Sequence, residues 1–179
     1  MDQPLDIFSP RAENALKATL ANVGNYSAEA GSTKQQGLKG AEHAAVMANM
    51  SRPQFLALCI YFQINVTLHD IEELQGFIIT NYVMQQSWYT QGSYLSQSHL
   101  ANRLDGLTAA AIKNLSPLKA EQPTSAQVAQ ALGISTSALN KTTKHGDNWA
   151  QRYQAACRYL QDELETAAQV VHNNSRASH

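Results

Sequence analysis

The sequence predicts an all-α fold, a multi-helix bundle containing a helix-turn-helix in its C-terminal half. Three observations predict it. Apolar residues recur at three- and four-residue intervals through most of the chain. Start signals such as Ser9-Pro10, Ser51-Arg52-Pro53 and Pro123-Thr124 stand where such runs begin. No alternating strand pattern of comparable length occurs. With 179 residues, 44% hydrophobic and 15% charged, the chain suits one globular domain or two small ones, and disorder is excluded as the main state. Lys+Arg 13 against Asp+Glu 14 and an abundance of Gln, Asn, Ser and Thr leave a nearly neutral exterior of the kind that suits assembly.

The first element, within residues 1–24, is an N-terminal helix: Ser9-Pro10 opens it, Ala12, Ala15, Leu16, Thr19, Leu20 and Val23 fall on one face, and Gly24-Asn25 stops it. Residues 25–45 have linker composition and are expected to be flexible. A helical domain follows over 46–172. Its first helix starts at Ser51-Arg52-Pro53, and its body, 55–62, is apolar on all sides, so it should be central. The next begins near Leu68 with Asp70, Glu72 and Glu73 in its first turns, where the helix dipole favours negative charge. Its inner face is Ile71, Leu74, Phe77, Ile78, Tyr82 and Val83. A polar aromatic break, 87–92, precedes a helix carrying Leu95, Leu100, Leu104, Leu107, Ile112 and Leu115, which Ser116-Pro117 ends.

Residues 125–144 fit the twenty-residue helix-turn-helix template without a gap. Ala129 is small where two helices cross, Gly133 sits where the turn needs φ > 0, and Val128, Leu132, Ile134 and Leu139 supply a shared core. The second helix is expected from about Ser135 to Lys144, with Ser135, Thr136, Ser137, Asn140, Lys141 and Lys144 facing outward. Ser, Thr and Asn can bond base edges in the major groove, Asn best to adenine, and the lysines can neutralise phosphates. The alternative is a hairpin whose polar face meets only water. Between Arg103 and Arg158 the basic residues Arg103, Lys113, Lys119, Lys141, Lys144, Arg152 and Arg158 outnumber Asp105, Glu121 and Asp147. Non-specific affinity comes largely from counterion release, so this modest excess implies weak intrinsic DNA binding reinforced by a protein partner.

Asp147 is expected to cap a final helix bearing Trp149, Tyr153, Ala156, Cys157, Leu160 and Leu164. That stripe reads as core; a homo-oligomer seam is the alternative, disfavoured by a short, interrupted heptad. Residues 173–179 are expected to form a disordered tail. Cys59 and Cys157, each among apolar residues, read as buried thiols in a reducing cytosol. The start, Met1-Asp2-Gln3-Pro4, has no basic head or long apolar run, and 55–62 is too short to span a bilayer, so a soluble cytoplasmic protein is expected. His43, His69, His99, His145, His172 and His179 show no ligand spacing, so no metal or other cofactor is expected, and each histidine reads as a surface residue. Ser116-Pro-Leu-Lys119 lacks the companion motifs of acyl-transfer enzymes, and no phosphate-binding glycine loop is present, so neither enzyme activity nor a small-molecule substrate is expected.

Taken together, the N-terminal helix, the low-complexity link, the aromatic-apolar helix 55–62, the Pro-Thr-Ser entry at 123–125 into the helix-turn-helix and Trp149 shortly beyond it resemble the Q-type late-gene antiterminators of lambdoid phages, particularly the group in Shiga-toxin phages. The resemblance extends over most of the chain. It implies a protein that binds double-stranded DNA beside a phage late promoter, engages bacterial RNA polymerase core and sigma factor in the host cytoplasm, and suppresses pausing and termination. Its DNA grip would be Ser135, Thr136, Ser137, Asn140, Lys141 and Lys144. The cysteine clusters of the zinc-bearing branch are lacking here, so no metal is carried over. Two rival readings remain: an operator-bound repressor or activator, and a helical adaptor that binds no DNA.

Overall fold

A computed structural model of the chain describes residues 49–64, 66–92 and 95–177. The helix expected over 9–23 and the linker over 25–45 lie outside the described residues. The remainder is all-helical: seven α-helices, α1 (Arg52–Tyr61), α2 (Leu68–Asn81), α3 (Ser87–Thr90), α4 (Gln97–Lys113), α5 (Ser125–Ala131), α6 (Thr136–Leu139) and α7 (Trp149–Ala177), with no strand among the described residues. Two 3₁₀ turns, Val83–Gln85 and Lys119–Glu121, punctuate them. The described residues belong to two compact units, one of 67–162, the other of 49–66 with 163–177, and the stretch 46–172 expected as one domain contributes to both.

In the smaller unit, α1 starts at Ser51, whose backbone N–H donates to Gln54 Oε1 at 3.0 Å, with Pro53 in the first turn where a missing N–H costs nothing. Leu56, Ala57 and Leu58 are buried, while Phe55, Cys59, Ile60 and Tyr61 are half-covered, so the helix is less enclosed than an all-apolar body suggested. The unit's share of α7 buries Leu164, Ala167 and Val171, spaced three and four apart. The helical backbone continues past Asn173 to Ala177, where a disordered tail was expected over 173–179; residues 178 and 179 lie outside the described residues. A helix already nucleated gains one backbone bond per added residue, and Gln169 Nε2 donates to Asn173 Oδ1 at 2.8 Å one turn on.

The larger unit begins at Thr67, which exchanges hydrogen bonds with Asp70: Asp70 N–H donates to Thr67 Oγ1 at 3.2 Å and Thr67 N–H to Asp70 Oδ2 at 2.9 Å. Leu74, Ile78 and Val83 form the inner edge of this segment, fully buried; Ile71, Phe77 and Tyr82 are half-buried. Between α2 and α4, Gln75 Nε2 donates to the Asp105 carbonyl (3.2 Å) and to Thr108 Oγ1 (3.1 Å), and the buried Thr108 hydroxyl donates to the Leu104 carbonyl at 2.9 Å. Residues 87–90, expected as a break, form the single helical turn α3, because it buries the Trp88 ring against Trp149, with centroids 5.9 Å apart.

The cap of α7 is Asn148, not Asp147. Gln151 N–H donates to Asn148 Oδ1 at 2.8 Å and Asn148 N–H to Gln151 Oε1 at 3.0 Å, which leaves the Asp147 carboxylate for another partner. Along α7 the covered positions of this unit are Trp149, Arg152, Ala156 and Leu160, so a guanidinium lies in the stripe that was expected to be apolar. Tyr153 and Cys157 are half-buried; the Tyr153 hydroxyl donates to Asn114 Oδ1 at 3.3 Å, and burial pushes the Cys157 thiol up to about 11, partly offset by its bond with Tyr153. Cys59 is half-buried too, so neither thiol is fully enclosed as expected.

Candidate nucleic-acid interface

Pro123-Thr124 starts α5 as its spacing suggests: Thr124 N–H donates to Gln127 Oε1 at 2.9 Å and Gln127 N–H to Thr124 Oγ1 at 3.3 Å. At the other end, Gly133 has φ +65°, its N–H donates to the Gln130 carbonyl (3.0 Å), and Ile134 N–H donates to the Ala129 carbonyl (3.0 Å). Those two bonds are a Schellman stop, which satisfies the last carbonyls of α5 and reverses the chain within three residues. Ser135 then caps α6, accepting the Ala138 N–H at 3.2 Å. Val128, Ala129, Leu132 and Leu139 are all buried beneath the turn. The unit is seated on α4, where a methyl group on Gly106 would fall 1.9 Å from the Ala131 carbonyl oxygen.

All six expected contact residues, Ser135, Thr136, Ser137, Asn140, Lys141 and Lys144, are exposed within this one segment. The second helix is shorter than expected: α6 ends at Leu139 rather than at Lys144, and Asn140 is its C-terminal cap. Thr143 ends it. The Thr143 backbone N–H donates to the Asp147 carbonyl (2.6 Å), its hydroxyl donates to Asp147 Oδ1, and Gly146 (φ +81°) closes the turn with a bond to the Thr143 carbonyl (3.1 Å). These bonds compete with helical ones and win because both partners are anchored. Ser135 therefore caps the helical turn and Thr136 and Ser137 sit on it, whereas Lys141 and Lys144 sit on a loop.

That loop is fastened to the core by Arg152. Its Nε donates to Asp147 Oδ2 and its Nη2 to Asp147 Oδ1, both at 2.7 Å, while Nη2 also reaches Thr143 Oγ1 at 3.3 Å. The guanidinium lies 4.3 Å from the centroid of Trp88 and 4.6 Å from that of Trp149. A planar cation between two indoles with a bidentate carboxylate at its edge is well compensated for burial. The Arg152 hydrogen bonds hold the Asp147 carboxyl below its ordinary value, against the opposing effect of burial and with help from the Thr143 hydroxyl.

Beside the loop lies an open cleft of about 460 Å³. Arg103 from α4 and Lys141 and Lys144 from the loop contribute its charge, Ile134 and Ala138 its apolar wall, and Trp149 its floor; none of its lining residues is acidic. Arg103 is placed there by Trp149, its guanidinium 5.4 Å from the ring centroid.

No protein family, curated protein or solved structure matches the chain. The likeness to Q-type antiterminators accordingly rests on the order of sequence features alone. Sequence reasoning missed Arg103, Trp88 and Arg152 as parts of this region. The available signal was two tryptophans, Trp88 and Trp149, with Arg152 one helical turn after the second. Among the described residues no group of three or more His, Cys, Asp or Glu is placed to hold a metal, and no helix is long and apolar enough to cross a membrane.

Proposed function

We propose that the protein is a phage transcription antitermination factor. It binds double-stranded DNA near a late promoter through residues 135–144, associates with bacterial RNA polymerase core and sigma factor in the host cytoplasm, and suppresses pausing and termination of late genes. The observation that carries this reading is the Gly133 turn, which delivers an exposed run of hydroxyl, amide and ammonium side chains on a rigid base. Such side chains match base edges and phosphates. The reading assigns no catalytic step, cofactor or small-molecule substrate.

The length of α6 bears on how the DNA is held. Four helical residues span only about 6 Å, a small surface for direct readout, and that favours a factor that loads from DNA onto a protein over a free-standing operator-bound repressor or activator. The test is transcription by purified polymerase with a terminator placed far downstream of the promoter. Readthrough that persists at the distant terminator is expected. An effect limited to the promoter would establish the operator-bound reading instead, and a stable protein complex with no duplex binding at low salt would establish the adaptor.

A further inference from the structure

We propose that the cleft between α4 and the 141–144 loop is a phosphate site that seats one backbone phosphodiester of the bound nucleic acid, with Arg103 as its central ligand. The proposal rests on the DNA-binding reading and extends it to a residue outside the helix-turn-helix.

Four observations carry it. The cleft gathers Arg103, Lys141 and Lys144, three cations from two separate chain segments, and no carboxylate lines it. The nearest acid of the network, Asp147, is already taken by Arg152 and Thr143. Arg103 is held in advance by its contact with the Trp149 ring, so little of its rotamer freedom is left to lose on binding. The Trp149 side chain, which lines the cleft and is only 3% exposed, carries an indole N–H with no hydrogen-bond partner, so the cleft wall holds an unsatisfied donor.

The cleft selects phosphate rather than base. Trp149 is too covered to offer a ring face for stacking, and its charge is arranged as a fork plus two ammonium groups, the pattern that matches phosphate oxygens. Ile134 and Ala138 supply an apolar wall against which a deoxyribose can rest, which favours a diester within a chain over a free phosphate ion. Because Lys141 and Lys144 belong both to the cleft and to the exposed segment, a strand read by Ser135–Asn140 would pass over its mouth.

The experiment uses the full chain and two probes: a duplex carrying the late-promoter region, and inorganic pyrophosphate. Binding to the duplex is measured against salt for the parent, Arg103→Gln, Lys141→Gln and Asn140→Ala, and the Trp149 indole N–H resonance is followed during both titrations. Arg103→Gln and Lys141→Gln are each expected to lower the slope of log K against log salt by about 0.9, with sequence preference retained, and the duplex is expected to move the indole resonance. Lys141 is exposed, so Lys141→Gln keeps the test alive if Arg103→Gln loosens the fold. If both glutamine variants keep the parent slope while Asn140→Ala loses preference, the cleft assignment fails and the DNA reading stands. If no duplex binds at low salt but pyrophosphate moves the indole resonance, the site takes free phosphate, and both the diester assignment and the DNA reading fail. If neither probe has any effect, both fail as well.

Discussion

Gly133 holds φ +65°, and a Cβ built there would meet nothing within 4 Å, so any cost of substitution comes from the backbone angle and not from crowding. Gly133→Val is expected to lose about 1–3 kcal/mol of stability, while Gly133→Asn loses less because asparagine tolerates the left-handed region; denaturant unfolding that ranks the two alike would refute the account. Asp147 differs, since its contribution is electrostatic. Its folded carboxyl titrates below the unfolded value of about 3.9, so its stabilisation is complete above the unfolded value and fades as pH falls through the folded one. Thermal melts of the parent should therefore show a loss on acidification below about pH 4 that is smaller in Asp147→Asn. The two residues also divide what the sequence could tell. Gly133 was legible because a turn at fixed spacing admits few alternatives. The Asp147–Arg152 pair was not, because an Asp just before a helix reads as its cap, and only the reciprocal bonds of Asn148 and Gln151 show that Asn148 has taken that role.

At the level of elements, the crossing of α4 and α5 depends on Gly106. The obstruction to a methyl group is a backbone carbonyl, which cannot rotate away, so Gly106→Ala is expected to cost about 1–3 kcal/mol by forcing the helices apart. Gly76 lies exposed within α2 with nothing within 4 Å, and Gly76→Ala is expected to gain about 0.8–1.0 kcal/mol from helix propensity. Opposite signs in unfolding measurements would support the packing argument; equal signs would refute it. The sequence pointed to Ala129 as the small residue at a crossing and passed over Gly106, because its partner is a carbonyl on another helix. Periodicity located α1, α2, α4 and α7 well. It overextended α6, since Lys141-Thr142-Thr143-Lys144 does not break helical spacing, and the stop comes with the local bonds of Thr143 to Asp147.

For the whole molecule, a formal net charge of −1 means that long-range attraction to nucleic acid is weak, so the proposed DNA binding would draw on a local concentration of cations. With Arg103, Lys141 and Lys144 as that concentration, the salt slope for duplex binding is expected to be about −3. Fluorescence anisotropy in graded salt measures it, and a slope steeper than about −6 would require a second basic surface. The all-helical class was legible because α1, α2, α4, α5 and α7 repeat the same two signals, start residues such as Ser, Thr, Asn and Pro and apolar residues at helical spacing. The division at 162 was not, because it falls inside helix α7, where no compositional break marks it.

The two indoles that flank Arg152 lie with centroids 5.9 Å apart and planes at 66°. Strong transitions held that close and that oblique couple, so the folded protein should carry an intense exciton couplet in its circular dichroism that neither tryptophan produces alone. Trp88→Phe should abolish it while leaving Trp149 in place. Because the same rings grip the guanidinium that fastens the 143–147 turn, the couplet gives a label-free optical readout of whether that turn is latched, one that can be followed in real time as a ligand is added.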